Sequence, residues 1–148
     1  FHNFNKDSFW VQNPVRIDGD RWREVTDNKD YSREGRMRNL KGAYDMALYL
    51  EREGFTPILS LVSPYAILRE YLRSKASKIA LIELYYEGDR GRTDRFVPDF
   101  EEIGSDDESL YLKINTSKQS VEDSLHIIYE YIKDLIRWEM MDGIKKSM

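Results

Sequence analysis

The sequence contains no cysteine, which excludes disulfides and thiol chemistry and makes a cytosolic setting the default expectation. With only 2 histidines and no cysteine, a zinc site is not expected. No apolar run approaches the roughly 20 residues that a membrane-spanning helix needs. The first ten residues lack the basic region and apolar stretch of a secretory signal. These absences predict a cytoplasmic protein without a membrane partner.

The chain also has no excess of basic over acidic residues. The chain has 23 Lys and Arg against 27 Asp and Glu, a net charge of -4, whereas a nucleic-acid-binding protein usually carries a basic surface. The charge balance therefore argues against a nucleic-acid partner. It leaves room for a basic pocket that binds a small anion, because net charge does not describe individual clefts. The 148 residues, 41% of them hydrophobic, are enough for one domain with a single core.

Apolar segments alternate along the chain with segments of helical periodicity. Strands are predicted at 9–11, 15–17, 55–62, 78–86 and 110–115, and helices at 36–53, from Ser63 to about Lys75, and from Ser120 onwards. The runs 55–62 and 78–86 are nearly continuous in apolar residues, as is typical of strands buried on both faces. The last nine residues give no clear prediction. This alternation predicts an α/β fold with a mainly parallel sheet.

Four short signals mark the predicted helix ends. Ser32, Ser63 and Ser120 are expected to cap helix starts, with Pro64 in the first turn after Ser63. Asp123 completes a capping box with Ser120. Gly54 stands where a left-handed residue ends the first long helix.

Acidic residues follow the strand at 15–17, and ligands of parallel sheets bind at the carboxyl ends of the strands. Asp18 and Asp20 flank Gly19, which lets the backbone turn sharply. The two carboxylates can hold a hydrated Mg²⁺ or accept a proton from a hydroxyl, and Arg23 can bind an anion. The alternative is a solvated Asp-Gly turn, which is common on protein surfaces.

Basic residues surround two other candidate positions. The helix predicted to start at Ser63 would present its N-terminus, a natural anion site, with Arg69 and Arg73 following. The alternative is a structural cap beside an exposed basic face. Basic residues also crowd the start of the preceding helix, where charge runs usually form a solvated face; they are Arg33, Arg36, Arg38 and Lys41.

The polar region 87–109 is predicted to be a loop. It contains three arginines in a Gly-containing stretch, Arg90, Arg92 and Arg95. A flexible arginine loop suits a lid that closes over phosphates, because guanidinium groups neutralise developing charge. The alternative is an ordinary solvent loop. The aromatic side chains of Tyr65, Phe96 and Phe100 either stack on a purine or belong to the core.

Three stretches, taken in order, resemble the motifs of the adenylylsulfate kinase family. DGDRWR resembles D-G-D-x-x-R, YSREGRMRNLK resembles F-S-x-E-D-R-x-E-N-I-R, and SLVSPYAILR resembles S-x-x-S-P-Y-x-x-x-R. INTSKQSVEDS is similar to the family's D-T followed by S-x-E-x-S. The resemblance covers the chain from about Phe9 to Ile132. It implies a three-layer P-loop kinase-like fold with helices on both faces of the sheet. It also implies phosphorylation of the 3′-hydroxyl of adenosine 5′-phosphosulfate, with ATP and Mg²⁺ as cofactors.

The resemblance also implies residue roles. Asp18 and Asp20 match the acidic pair near the reactive hydroxyl, with Asp20 as the metal-binding residue. The substrate pocket is matched by Arg23, Arg36, Asn39, Ser63, Pro64, Tyr65, Arg69 and Phe96. Arg90, Arg92 and Arg95 take the place of the lid that contacts phosphates. Many family members are dimers, so a homodimer is a further expectation.

Several positions depart from the family pattern. Gly35 replaces an acidic residue, Lys41 an arginine and Asn115 an aspartate. The lid motif R-D-x-K-G-L-Y is replaced by the shorter stretch DRGRTDRFVPDFE. These changes leave open a related kinase that acts on another hydroxyl.

The largest departure is the phosphate-binding loop. In the family the strand that matches FWVQ leads into G-x-x-x-x-G-K-[S/T] and a helix, but this motif occurs nowhere in the 148 residues. Gln12 is followed by Asn13, Pro14 and the next strand, although two residues cannot join parallel strands. We therefore describe residues 1–148 as a single domain of this type, with the loop and its helix missing between 12 and 15.

Two explanations of this gap remain open. Either the chain omits an internal segment of the natural protein, or the protein lacks the loop and cannot bind ATP as the family does. We favour the first, because losing the helix would expose an apolar sheet face and cost more than the few kcal/mol by which most proteins are stable. The second would make the protein a non-catalytic relative that binds a nucleotide or a protein partner.

Overall fold

The computed structural model describes residues 13–88, 91, 97–103 and 111–147, with the side chains of the last helix described to Asp134 and at Lys145. The elements are β1 (Pro14–Asp18), α1 (Gly19–Val25), α2 (Arg33–Arg52), β2 (Thr56–Ser60), α3 (Ala66–Lys75), β3 (Leu81–Tyr85), β4 (Tyr111–Asn115) and α4 (Val121–Ser147). The predicted α/β class with parallel strands is confirmed. The strand predicted at 9–11 lies outside the described residues.

The described chain forms two compact units. The first contains residues 13–78 and 97–102, and the second contains residues 79–88, 91, 103 and 111–147. In the first, β1 and β2 pair in parallel, from Pro14 opposite Thr56 to Asp18 opposite Ser60, so both carboxyl ends lie at one edge. In the second, β3 and β4 pair in parallel and α4 contacts β4.

The core of the first unit forms where α2 packs against the β1–β2 sheet. The apolar face of α2, which the helical spacing predicts, is buried as expected; it comprises Leu40, Ala43, Tyr44, Ala47 and Leu48. Ala43 and Ala47 pack with Ile17 of β1, and Trp22 covers the edge of this cluster. Small side chains on α2 let the helix approach the sheet closely.

Three of the predicted helix signals are confirmed. The Ser32 hydroxyl accepts a hydrogen bond from the Gly35 amide at 3.1 Å, and Gly54 adopts a φ of 86° after α2. The Ser120 hydroxyl accepts from the Asp123 amide at 3.0 Å and donates to the Asp123 carboxylate at 2.8 Å. Beyond this start, α4 continues to Ser147, through most of the stretch that gave no prediction.

Three predictions about local structure are wrong. The third helix begins at Ala66 rather than at Ser63 and Pro64, and its N-cap residue Tyr65 makes no side-chain capping bond. The strands predicted to be buried on both faces are half-buried, and Leu84 is 59% exposed. Gly19 does not form a turn but opens α1.

Candidate active site

The candidate site lies where β1 and β2 end. Asp18 is paired in register with Ser60, and the backbone of Gly19 passes close to Leu61. A Cβ added at Gly19 would lie 2.9 Å from the Leu61 Cβ, which is shorter than real Cβ contacts allow. This close approach is therefore the reason for glycine here. It brings the segment after β1 directly beside the segment that leads to Ser63.

The Asp18 carboxylate caps α1. Its Oδ1 accepts from the amides of Asp20 at 3.1 Å and Arg21 at 3.3 Å, and its Oδ2 pairs with the Arg16 guanidinium at 3.2 Å. The hydrogen bond from the Arg21 amide is the first cause that lowers the Asp18 pKa. A general base works best with a pKa near the operating pH. Asp18 is therefore better suited to supply a fixed negative charge than to take up a proton.

Asp20 lies in the first turn of α1, exposed at the same edge. In kinase sites Mg²⁺ is bound by one or two carboxylates together with substrate phosphates. Among the described residues no cluster of three or more acidic, His or Cys side chains could hold a metal by itself. The Asp18–Asp20 pair fits a site that is completed by a bound phosphate.

Two of the arginines predicted to bind the substrate, Arg23 and Arg36, converge on Tyr31. Arg23 donates through Nη1 to the carbonyls of Asn28 at 3.1 Å and Asp30 at 3.0 Å, and its guanidinium lies 4.2 Å from the centre of the Tyr31 ring. Arg36 donates through Nε to the Tyr31 carbonyl at 2.8 Å. Arg23 therefore shapes the loop between α1 and α2. Direct contact of either arginine with a substrate stays a prediction.

Asn39 is buried on α2 beside α1. Its carbonyl accepts from the Trp22 indole at 3.1 Å, whereas its side-chain Oδ1 has no hydrogen-bond partner among the described residues. Leaving a buried acceptor unpaired costs about 1–3 kcal/mol. Asn39 also lines an open cavity of about 430 Å³ together with Trp22, residues 26–30, Arg38 and Gly42. Asn39 therefore combines a buried acceptor that lacks a partner in the described part of the chain with a position in the wall of this cavity.

The Ser63–Tyr65 segment is fixed from three sides. The Ser63 hydroxyl hydrogen-bonds the hydroxyl of Tyr44 on α2, and its carbonyl accepts from Arg69 at 2.7 Å. Tyr65 is completely buried, and the Arg33 guanidinium lies 4.3 Å from the centre of its ring. Burial, followed by the nearby Asp99 charge, raises the pKa of Tyr65, so its hydroxyl keeps its proton at neutral pH.

Sequence reasoning missed the contribution of Asp99 and Glu101. Arg33 donates to the Asp99 carboxylate at 2.8 Å and to the Glu101 carboxylate at 2.9 Å. Arg69 donates to the Glu101 carbonyl at 2.7 Å, and its guanidinium lies 5.8 Å from the Phe100 ring. The basic run around Arg33 was visible in the sequence, but its partners lie 66 and 68 residues away.

Several predicted site residues cannot be placed. Phe96 and the loop arginines Arg90, Arg92 and Arg95 lie outside the described residues, so their contacts stay predictions. The remaining predicted residues, from Asp18 to Arg69, belong to the first unit. The carboxylate pair follows β1, the Ser63–Tyr65 segment follows β2, and Arg33 at the start of α2 lies over the Tyr65 ring. Such an arrangement can bind an anionic ligand next to a divalent cation.

No helix in the described part of the chain combines the length and apolar character needed to cross a membrane.

Comparison with known proteins gives a consistent result. The model of the adenylylsulphate kinase family matches residues 10–95. An adenylyl-sulfate kinase of Staphylococcus haemolyticus is 28% identical over 136 residues, covering 80% of this chain and 68% of the relative. A protein of Pyrococcus abyssi named as a probable adenylyl-sulfate kinase is 26% identical over 135 residues, covering 80% of this chain and 77% of the relative.

The lengths of these matches carry further information. Each alignment includes 80% of the 148 residues, which is about 118 residues of this chain. The alignment with the Staphylococcus relative has 136 positions, about 18 more than that, and the alignment with the Pyrococcus relative has 135, about 17 more. Both relatives therefore contain internal residues that have no counterpart in these 148 residues.

Proposed function

The chain belongs to the adenylylsulfate kinase family, and from this premise we propose that it binds adenosine 5′-phosphosulfate and phosphorylates its 3′-hydroxyl with MgATP. The observation that carries the proposal is the sheet edge where the Asp18–Asp20 segment passes beside the start of the segment that leads to Ser63–Tyr65, which contacts Arg33 at the start of α2. Carboxylates, basic side chains and an unpaired acceptor on Asn39 are the groups that a metal-bound, anionic nucleotide requires.

The roles follow from the surroundings of each residue. Asp20 orients the acceptor hydroxyl and binds Mg²⁺, while Asp18 supplies a fixed charge because its pKa is lowered. Arg36 neutralises the phosphosulfate. Catalysis of this kind consists mainly of positioning and charge neutralisation. Each of these roles is a proposal supported by position in the fold and by family membership.

The nucleotide base has a separate partner. An exocyclic amine is an N–H donor, and Asn39, whose buried Oδ1 has no partner among the described residues, is one of the residues that line the open cavity beside α1. Pairing the two removes the cost of the unsatisfied oxygen, which favours an amine-bearing base. Replacing Asn39 by aspartate would keep the acceptor oxygens but add a charge.

ATP supplies the phosphoryl group when it is bound. None of the 148 residues forms the family's phosphate-binding loop, so this chain's own residues account for the acceptor and the metal only. This absence supports a second candidate, a non-catalytic relative that binds the nucleotide without phosphorylating it. The substitutions at Gly35, Lys41 and Asn115 support a third, a kinase with a different hydroxyl acceptor. A homodimer stays a prediction.

The first experiment measures the intact mass of the purified natural protein, with peptide mapping across Gln12 to Val15. A mass above 17.6 kDa by roughly 2–3 kDa, located at this junction, would restore a loop and crossover helix. Direct continuity of the peptide from Gln12 to Val15 would favour the non-catalytic relative.

The second experiment measures ATP consumption with and without adenosine 5′-phosphosulfate. We expect consumption that depends on the acceptor and is abolished in Asp20→Asn, while the circular dichroism spectrum is unchanged. Glu24→Gln is the matched control, because Glu24 is an exposed acid on the same helix. Undiminished turnover in Asp20→Asn would refute the role of Asp20. Acceptor binding without turnover in the wild type would support the second candidate.

A further inference from the structure

One carboxylate contacts both sides of the Ser63–Tyr65 segment. Glu101 accepts a hydrogen bond from the Ala66 amide at 2.7 Å through Oε2 and from Arg33 at 2.9 Å through Oε1. The same Arg33 guanidinium lies over the Tyr65 ring at 4.3 Å. Glu101 therefore bonds Ala66, which follows the segment, and Arg33, which covers the ring of Tyr65 at the end of the segment.

The backbone of Glu101 adds two more bonds to the same region. Its amide donates to the Pro64 carbonyl at 2.8 Å, and its carbonyl accepts from Arg69 at 2.7 Å. Arg69 also donates to the Ser63 carbonyl at 2.7 Å, so its guanidinium links the two chain segments. Every residue from Ser63 to Ala66 is thus in contact with Glu101 directly or through one arginine.

The start of α3 needs such a partner. The first amides of a helix have no partner within the helix, and the N-cap residue Tyr65 provides no side-chain bond. A carboxylate at this position forms charge-assisted hydrogen bonds, which are stronger than neutral ones. Glu101 bridges Arg33 on α2 and Ala66 on α3, although it lies 68 residues after the first and 35 residues after the second.

We propose that Glu101 is a positioning residue for acceptor binding, holding the Ser63–Tyr65 segment in the conformation that receives the nucleotide. The proposal rests on the proposed function, because it assumes that this segment contacts the acceptor. Glu101 itself does not touch the acceptor; it acts through Ala66 and Arg33. Neither family matching nor the sequence pattern assigns this role to it.

The test compares Glu101→Ala with Glu101→Gln by two measurements on the full chain. Calorimetric titration with adenosine 5′-phosphosulfate gives the acceptor affinity, and amide hydrogen exchange observed by NMR gives the protection of Ala66. We expect Glu101→Ala to weaken acceptor binding about fivefold, since the bonds lost are charge-assisted but partly exposed. Glu101→Gln keeps an oxygen for the Ala66 amide and should restore part of both the affinity and the protection.

Asp45→Asn is the matched control. Asp45 on α2 pairs with Lys41 of the same helix and accepts from the Tyr71 hydroxyl of α3, so it also links the two helices. Its exposed fraction of 46% is close to the 40% of Glu101. It should leave the acceptor affinity unchanged. Urea unfolding of all three variants separates a change of affinity from a general loss of stability.

Each outcome decides the proposal. Weaker binding and faster Ala66 exchange in Glu101→Ala, partly restored in Glu101→Gln, support it. Faster exchange with unchanged affinity reduces Glu101 to a structural cap and overturns the proposal, although the wild type still binds. Unchanged exchange of the Ala66 amide in Glu101→Ala overturns the proposal whether or not the protein binds the acceptor, because it shows that Glu101 does not hold the segment. Absence of acceptor binding in the wild type refutes the proposed function and this role together, while Ala66 protection still reports whether the contact forms.

Discussion

Replacing Gly35 by alanine should destabilise the first unit, even though alanine is the better helix former. A Cβ at this position would lie 2.3 Å from the Asp30 Cγ, 2.4 Å from its carbonyl oxygen and 2.6 Å from its Cβ. The carbonyl would have to retreat by 0.6 Å to reach even 3.0 Å, the shortest distance that real Cβ atoms show. Asp30 cannot make this movement by rotating its side chain, because one of the clashing atoms belongs to its backbone.

Asp30 is also held in place from several sides. Its carbonyl accepts from Arg23 at 3.0 Å, and its carboxylate accepts from Arg38 at 2.7 Å and from the Ser32 amide at 2.9 Å. Overpacking costs about 1–3 kcal/mol, and a braced backbone places Gly35→Ala at the upper end. Alanine returns up to about 1 kcal/mol in helix propensity. The net loss should be about 2 kcal/mol of unfolding free energy.

Urea unfolding followed by tryptophan fluorescence measures this loss. With a slope of about 1–3 kcal/mol per M for a small protein, the midpoint should fall by about 1 M. Gly42→Ala is the control on the same helix, because its Cβ would meet only the Trp22 ring at 3.3 Å; it should be neutral or slightly stabilising. A Gly35→Ala variant as stable as Gly42→Ala would refute the reasoning and show that the loop yields freely. Gly35→Glu, which restores the family's acidic residue, should lose at least as much as Gly35→Ala.

Two further predictions concern pH and the acceptor. The pKa values of Asp99 and Glu101 are lowered in the folded protein, foremost by hydrogen bonds from Arg33. The two ionised carboxylates therefore stabilise the fold at any pH above their pKa values in the unfolded chain, which are about 4. This stabilisation is lost as the pH falls through the lower pKa values of the folded protein. Urea unfolding between pH 5 and 2 should therefore show a decline that is shallower in Glu101→Gln, and equal slopes would contradict this assignment. Arg36→Ala should weaken adenosine 5′-phosphosulfate binding about tenfold in calorimetry, because a charge-assisted contact is lost; an unchanged affinity would remove Arg36 from the pocket.

Local devices could be predicted from the sequence because their partners are close in the chain. Ser32 and Ser120 each bond an amide three residues away, and Gly54 adopts the left-handed conformation that glycine tolerates best. The spacing of small and apolar residues on α2 likewise predicted which face is buried. All of these depend on a few consecutive residues.

Features that depend on distant residues were missed or assigned a wrong cause. Ser63 is a residue type that often caps helices, but its hydroxyl pairs with that of Tyr44, 19 residues earlier. The carboxylate that accepts from the first amide of α3 belongs to Glu101. Gly19 was attributed to a turn, whereas the close approach of Leu61 requires it. No spacing rule predicts which acid reaches Arg33 across more than 60 residues.

The return of residues 97–102 to the first unit has a consequence for how the chain can be divided. A fragment ending at Lys78 would contain both strands and all three helices of that unit, yet it would deprive Arg33 of two carboxylates and the Ala66 amide of its acceptor. During synthesis the same bonds cannot form until Glu101 has left the ribosome, so this corner of the first unit is completed only after β3 has been made. Truncation at the apparent boundary would therefore yield a protein whose second strand and third helix are joined by a loosened segment.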